Sequence, residues 1–155
     1  MKKYVHLAIA SAGFIGFLPK APGTIASLAT TLVFSIIYYS TYRILPELHV
    51  SAVCLIGIIG IITAAEVERQ RSDDDPSCVV IDEVAGQLLT FLFLPVNISN
   101  LVLGFLAFRI YDIWKPFPVR RMESLKGGIG VMADDMLAGL YANLTLQLIN
   151  RVLLR

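Results

Sequence analysis

Residues Ala21 to Tyr42 read APGTIASLATTLVFSIIYYSTY, 22 residues without a single charge. A helix of that length rises ~33 Å, enough to cross the ~30 Å hydrocarbon core of a bilayer. Three further segments repeat the pattern. Val50 to Ala65 is uncharged over 16 residues and reaches spanning length with its flanks. Val84 to Phe108 is uncharged over 25 residues but is broken by Pro95-Val96-Asn97-Ile98-Ser99-Asn100. A proline and two asparagines in six residues signal a turn. The stretch therefore predicts a helical hairpin with arms of about 78–94 and 100–114. Asp135 to Asn150 predicts a last apolar helix carrying Asn143 and Gln147, with Asp134 as its N-cap.

Composition agrees. The 155-residue chain is 56% hydrophobic and 16% charged, with mean hydropathy +0.71, whereas soluble domains carry about 25% charged residues. The length suits one domain over residues 1–155. The expected fold is all-α, a polytopic membrane helical bundle with four to five spans. The net charge of +1 is uninformative, and no basic tract points to nucleic acid as a partner. Cys54 and Cys78 sit in apolar runs without metal-ligand spacing and read as small buried hydrophobes. The start, Met1-Lys2-Lys3 and then an apolar stretch, has the outline of a signal peptide. Its apolar part is too short, so the segment is expected to be retained.

The basic residues set an expected orientation. Lys2, Lys3 and Lys20 precede the first span, Arg69 and Arg71 follow the second, and Lys115, Arg120, Arg121 and Lys126 follow the hairpin. An even number of crossings separates these groups, and the positive-inside rule puts them in the cytoplasm. The turns at residues 43–49 and 95–100 then face outward. Arg151 and Arg155 also fall outside, against the trend.

Eight of the twelve acids fall in four clusters: Asp73-Asp74-Asp75, Asp82-Glu83, Asp112 and Asp134-Asp135. The expected topology puts every cluster at the cytoplasmic ends of spans. Like charges gathered in one place repel, and desolvation adds to the cost; a divalent cation relieves both. Asp82 and Glu83 stand inside an apolar run, where ionised groups signal function. One turn on, Gly86 leaves room for close approach of a backbone or a ligand. Arg109, Asp112 and Lys115 follow at i, i+3 and i+6, so one helical face carries a cation, an acid and a cation before Pro116. That face suits either a local salt bridge or a phosphate beside a metal ion. Gly127-Gly128-Ile129-Gly130 leads into Asp134-Asp135 as a glycine-rich loop, either a plain turn with acids on the helix dipole or a phosphate approach with metal-binding acids. Pro22-Gly23-Thr24 opens the first span. Thr24 is read as its N-cap, while Lys20, Thr24 and Ser27 together also describe an anion site at a helix N-terminus. Asp73 to Asp75 fits a solvated loop, with Asp75, nearest Asp82, as the candidate ligand. His6 and His49 receive no role.

These motifs together are similar to those of the phosphatidylglycerophosphatase A family. They are Pro22-Gly23-Thr24-Ile25-Ala26-Ser27-Leu28, Asp75 through Asp82-Glu83 and Gly86, Phe108-Arg109 through Asp112 to Lys115-Pro116-Phe117-Pro118, and Gly127-Gly128 through Asp134-Asp135 to Ala138-Gly139. They stand in the family's order and spacing over about residues 13–139. Ala26 departs from the glycine usual there and tightens the start of the first helix. The resemblance implies a Mg²⁺-dependent enzyme of the bacterial inner membrane that converts phosphatidylglycerophosphate to phosphatidylglycerol, its polar site facing the cytoplasm. Asp75, Asp82, Glu83, Asp112, Asp134 and Asp135 are the expected metal ligands. All of these except Asp75 are also catalytic candidates. Arg109, Lys115, Lys20, Thr24 and Ser27 are the expected substrate-binding residues. Six acids exceed one ion's need, so either two metals bind or some acids act as base or nucleophile. A small ion or solute transporter would also explain the spans, but not acids gathered at one membrane face. A lipid phosphotransferase would share the acids and Mg²⁺, but the sequence pattern of the CDP-alcohol enzymes is absent.

Overall fold

The computed structural model describes residues 2–71, 76–122 and 124–153. Asp75 and the acids beside it lie outside the described residues. The chain forms α1 (Lys2–Ala10), a 3₁₀ turn (Ile15–Phe17), α2 (Pro22–Thr41), α3 (Pro46–Arg71), α4 (Ile81–Thr90), α5 (Ile98–Trp114), α6 (Val119–Met122) and α7 (Gly128–Leu153). Among the described residues there is no strand. The expected all-α class holds. Among the described residues two helices, α2 and α3, are long and apolar enough to cross a membrane, against the four to five spans expected. The α5 helix has 17 residues, a rise of ~26 Å.

The helix boundaries follow local chemistry. The N-cap of α2 is Ala21, in the left-handed region, and Pro22 occupies the first helical position. Proline's fixed φ and missing N–H suit that place. Thr24 thus lies inside the first turn and is not the cap the sequence suggested. Asn97 caps α5, its side chain accepting from the Asn100 N–H at 2.8 Å. The break is earlier and longer than the sequence suggested: α4 ends at Thr90, so the arm expected over about 78–94 is a ten-residue helix and residues 91–97 connect it to α5. Asp134 is not the N-cap of α7, because that helix begins six residues earlier at Gly128. Gly128 and Gly130 are helical rather than loop. A Cβ on Gly128 would strike the Ile61 carbonyl of α3, so glycine here serves close helix packing.

The long α7 packs on α3, α4, α5 and α6. One core joins α1, α3, α4 and α7 around Ala64, Val67, Ile81, Ala85 and Met132. A second, around Phe108, Val119, Ala138 and Ala142, joins α5, α6 and α7. The polar residues are not all outside. Ser27, Thr30, Thr31, Gln87, Thr90, Asn100 and Asn143 are buried, while Leu32, Ile36, Leu55, Ile58, Leu106, Ile110, Leu144 and Leu148 are exposed. Most of these buried groups bond to backbone carbonyls, whereas the Gln87 amide has no hydrogen-bond partner among the described residues. Asn143 donates from Nδ2 to the carbonyls of Thr90 and Leu92 at 2.9 and 2.8 Å, where α4 ends. Those carbonyls have no partner further along the helix and need one in an apolar surrounding. Cys78 is buried as expected; Cys54 is exposed, because it falls on the outer face of α3.

Candidate metal and phosphate site

Three helices, α2, α4 and α7, start at one end of the bundle, and α5 finishes there. Residues from those ends line a cavity of about 180 Å³: Gly23 from α2, Asp82 and Glu83 from α4, Asp112 and Lys115 at the end of α5, and Asp134 and Asp135 from α7. Three helix N-termini therefore converge, and the positive ends of their dipoles favour negative charge there. Close packing holds the arrangement. A Cβ on Gly86 would strike the Asp135 carbonyl and the Phe108 ring, and one on Gly23 would strike the Glu83 carboxylate. Gly86 thus admits a neighbouring backbone, as its place one turn beyond Asp82 suggested.

The charges sort into two groups. Asp112 is paired with Arg109, Nη1 to Oδ2 2.6 Å, and Asp134 with Lys115, Nζ to Oδ2 2.7 Å. Arg109 also lies 3.9 Å from Glu83 and donates to the Ser27 hydroxyl at 3.4 Å; that hydroxyl in turn donates to the Gly23 carbonyl. Asp82, Glu83 and Asp135 form the second group, each offering a carboxylate oxygen within 4.8 Å of the others. Among the described residues, two cations thus face five acids. One oxygen each of Glu83 and Asp135 is buried with no hydrogen-bond partner. Burial first, then the charges of Glu83 and Asp135, pushes the Asp82 carboxyl well above the usual range. Burial likewise raises Glu83. Such crowding is costly unless a cation or protons compensate it. Carboxylate oxygens with vacant lone pairs are the donor set a hard divalent cation takes, so the residues present fit such an ion.

Of the residues singled out from the sequence, the structure brings Asp82, Glu83, Asp112, Lys115, Asp134 and Asp135 around one cavity. Arg109 and Ser27 lie behind it, joined to the acids by the contacts above. Lys20 is exposed, and neither it nor Thr24 lines the cavity. Ser77, Val79 and Leu125 do line it and were not singled out. Ser77 carried a faint signal, standing between the triple aspartate and the apolar run that holds Asp82. His49 is buried at the other end of the bundle, its Nε2 2.9 Å from the Leu88 carbonyl and its ring 5.0 Å from that of Phe34.

Fold and site together define an all-helical protein with an apolar exterior and an acidic chamber at one end of the bundle. The sequence profile of phosphatidylglycerophosphatase A matches residues 8–150. A protein of Bacteroides thetaiotaomicron with the provisional name phosphatidylinositol-3-phosphatase is 42% identical over 135 residues, covering 82% of each chain. The phosphatidylglycerophosphatase A of Escherichia coli (strain K12) is 36% identical over 130 residues, 82% of this chain and 73% of the relative. The enzyme of that name from Haemophilus influenzae is 32% identical over 140 residues, 89% and 83%. No solved structure gives a significant match. The chain belongs to the phosphatidylglycerophosphatase A family. It is accordingly a phosphatase, a phosphoric monoester hydrolase.

Proposed function

We propose that the protein hydrolyses the terminal phosphomonoester of phosphatidylglycerophosphate, giving phosphatidylglycerol, with Mg²⁺ held in the acidic chamber. The observation that carries this reading is the triad of Asp82, Glu83 and Asp135, three carboxylates within 4.8 Å that the nearby cations compensate only in part: Lys115 is engaged by Asp134, and Arg109 is shared between Asp112 at 2.6 Å and Glu83 at 3.9 Å. These three would hold the ion. Bound there, Mg²⁺ supplies charge compensation for the phosphate and for the charge that develops in the transition state. The chain's own groups do the rest. Lys115 lines the cavity and presents its ammonium to the phosphate, while Asp134 keeps that side chain in place. Arg109 anchors Asp112 and steadies Glu83; it serves recognition through the acids' geometry. Asp75 is retained as a further candidate ligand.

The exposed apolar faces of α2, α3, α5 and α7 support a membrane-embedded bundle, because surfaces this extensive mark contact with lipid. On this reading α2, α3, α5 and α7 cross the bilayer and α4 is a shorter element packed among them. The acidic end then faces the cytoplasm, since Lys20, Arg69, Lys115 and Lys126 belong to that end. The relative from Bacteroides, named for a different lipid, favours a second reading in which an inositol lipid phosphate is the substrate. Both substrates present a phosphomonoester on a polyol head group. Phosphate release by the purified protein from the two lipids, each with Mg²⁺ and with EDTA, tests both. Release from phosphatidylglycerophosphate that persists in excess chelator refutes the metal, and release only from the inositol lipid refutes the head-group assignment.

A further inference from the structure

A groove of about 780 Å³ runs between α2, α3 and α4, walled by Ala26, Val33 and Ile37 on one side, Ala52 and Ile56 on the other, and Val84 at its floor. We propose that this groove seats one acyl chain of the lipid whose phosphate enters the acidic chamber, a deepening that rests on the lipid phosphatase reading. Four features commit the groove to a hydrocarbon chain. First, it adjoins the site along the same two helices. Val84 follows Glu83 on α4, and Ala26 lies one residue from Ser27 and one turn from Gly23, which lines the chamber. Second, its two long walls are the helices able to cross a membrane. Third, its reach is right. The α2 wall extends from Ala26 to Thr41, a rise of ~22 Å, which exceeds half of the ~30 Å core and so accommodates a leaflet-length tail.

Fourth, the polar residues in the walls are already engaged. The Thr30 hydroxyl donates to the Ala26 carbonyl at 2.8 Å, the Thr41 hydroxyl to the Ile37 carbonyl at 2.8 Å, and the His49 ring meets the Leu88 carbonyl at 2.9 Å. The walls thus offer little hydrogen bonding to a polar guest over most of the groove. Arg43 stands at the far end, past the ~15 Å that a leaflet-length tail would reach. A tail that moves from bilayer to groove gains little hydrophobic energy, since lipid is already apolar. What it gains is position: a chain seated along α2 aims its own head group at the chamber, and orientation of this kind acts on rate.

The test uses the full-length protein in lipid nanodiscs with a phosphatidylglycerophosphate analogue carrying a diazirine midway along one acyl chain. Photolysis should label α2 and α3 around Val33, Ile37, Ala52 and Ile56. Ala29→Phe narrows the groove from α2 and Ala52→Leu does so from α3, so that one variant serves if the other does not fold. Either should cut labelling severalfold and lower kcat/KM for a long-chain substrate about tenfold, while a dihexanoyl analogue changes less than about twofold. Labelling spread evenly over the outer faces of α5 and α7, as surrounding lipid would give, overturns the proposal. So do equal losses for both substrates, or protein–protein crosslinks showing a second copy in the groove. Wild-type protein that releases phosphate from no lipid refutes the phosphatase reading instead, and the labelling pattern still decides the groove.

Discussion

Replacing Asp82 by asparagine separates the chamber's two energetic states. Asp82, Glu83 and Asp135 crowd their oxygens within 4.8 Å, so without a divalent ion the fold carries their repulsion and desolvation. The Asp82 carboxyl is held well above its usual range by burial and by those neighbours. A raised folded pKa means the folded chain binds the proton more tightly than the unfolded chain. That contribution is present at low pH and lost as pH rises through the folded value. At neutral pH the metal-free Asp82→Asn protein should therefore be at least as stable as wild type. On the proposed assignment Mg²⁺ should reverse the order. At a concentration of 100 Kd it stabilises wild type by about 2.7 kcal/mol. For a chain of this size that is a Tm rise of roughly 5–10 °C. If loss of one ligand weakens affinity about a hundredfold, the same Mg²⁺ stabilises the variant by only about 0.4 kcal/mol, a rise of roughly 1–2 °C. Thermal unfolding in detergent, with Mg²⁺ titrated against EDTA, reads both quantities, and phosphate release is measured in parallel. A variant that keeps the wild-type Mg²⁺ shift, or wild-type turnover, refutes the assignment of Asp82 to the metal.

Arg109→Ala leaves Asp112 uncompensated beside Glu83 and should destabilise the fold by about 3–5 kcal/mol; Arg109→Lys should recover part of this, because it keeps the charge but not the guanidinium whose Nη1 lies near Asp112, Glu83 and Ser27 at once. Denaturant unfolding measures the loss, and a loss under about 1 kcal/mol rules out the anchoring role. Lys115→Ala should raise KM more than it alters the Mg²⁺ shift, and equal loss of metal affinity would count against Lys115 as the phosphate ligand. Gly86→Ala must push the Asp135 backbone and the Phe108 ring apart; overpacking costs about 1–3 kcal/mol, against about 1 kcal/mol of helix propensity regained, and turnover should fall further than stability. With Cys54 and Cys78 replaced, an impermeant thiol reagent applied to intact cells should label cysteines placed at Glu47 and Ser99 but not one at Lys126; labelling at Lys126 breaks the orientation.

Much of this protein is legible without coordinates because long uncharged runs leave the chain few options. Uncharged runs such as Ala21 to Tyr42 have to satisfy their backbone internally, and helices follow. Acids inside such runs are costly enough that their presence at Asp82-Glu83 and Asp134-Asp135 already points to chemistry. Local rules also signal the i, i+3 pairing of Arg109 with Asp112 and a break near Pro95 and Asn97, though α4 already ends at Thr90. Only the tertiary structure decides which acids share their charge. Asp134 finds Lys115 across 19 positions of sequence, whereas Asp135, its neighbour, turns with the helix toward Asp82 and Glu83, and no local pattern distinguishes the two. The three-dimensional packing also makes Gly128 and Gly130 helical, since it is the nearness of α3 and of the Leu125 carbonyl that demands glycine there. Thr24 and Lys20, close in sequence to the chamber's Gly23, fall outside its lining: Thr24 lies within the first turn of α2, and Lys20 precedes that helix and is exposed. Side-chain spacing along one helix follows from its 3.6-residue period, whereas contacts between helices depend on how their surfaces interlock, and that is a property of the whole fold.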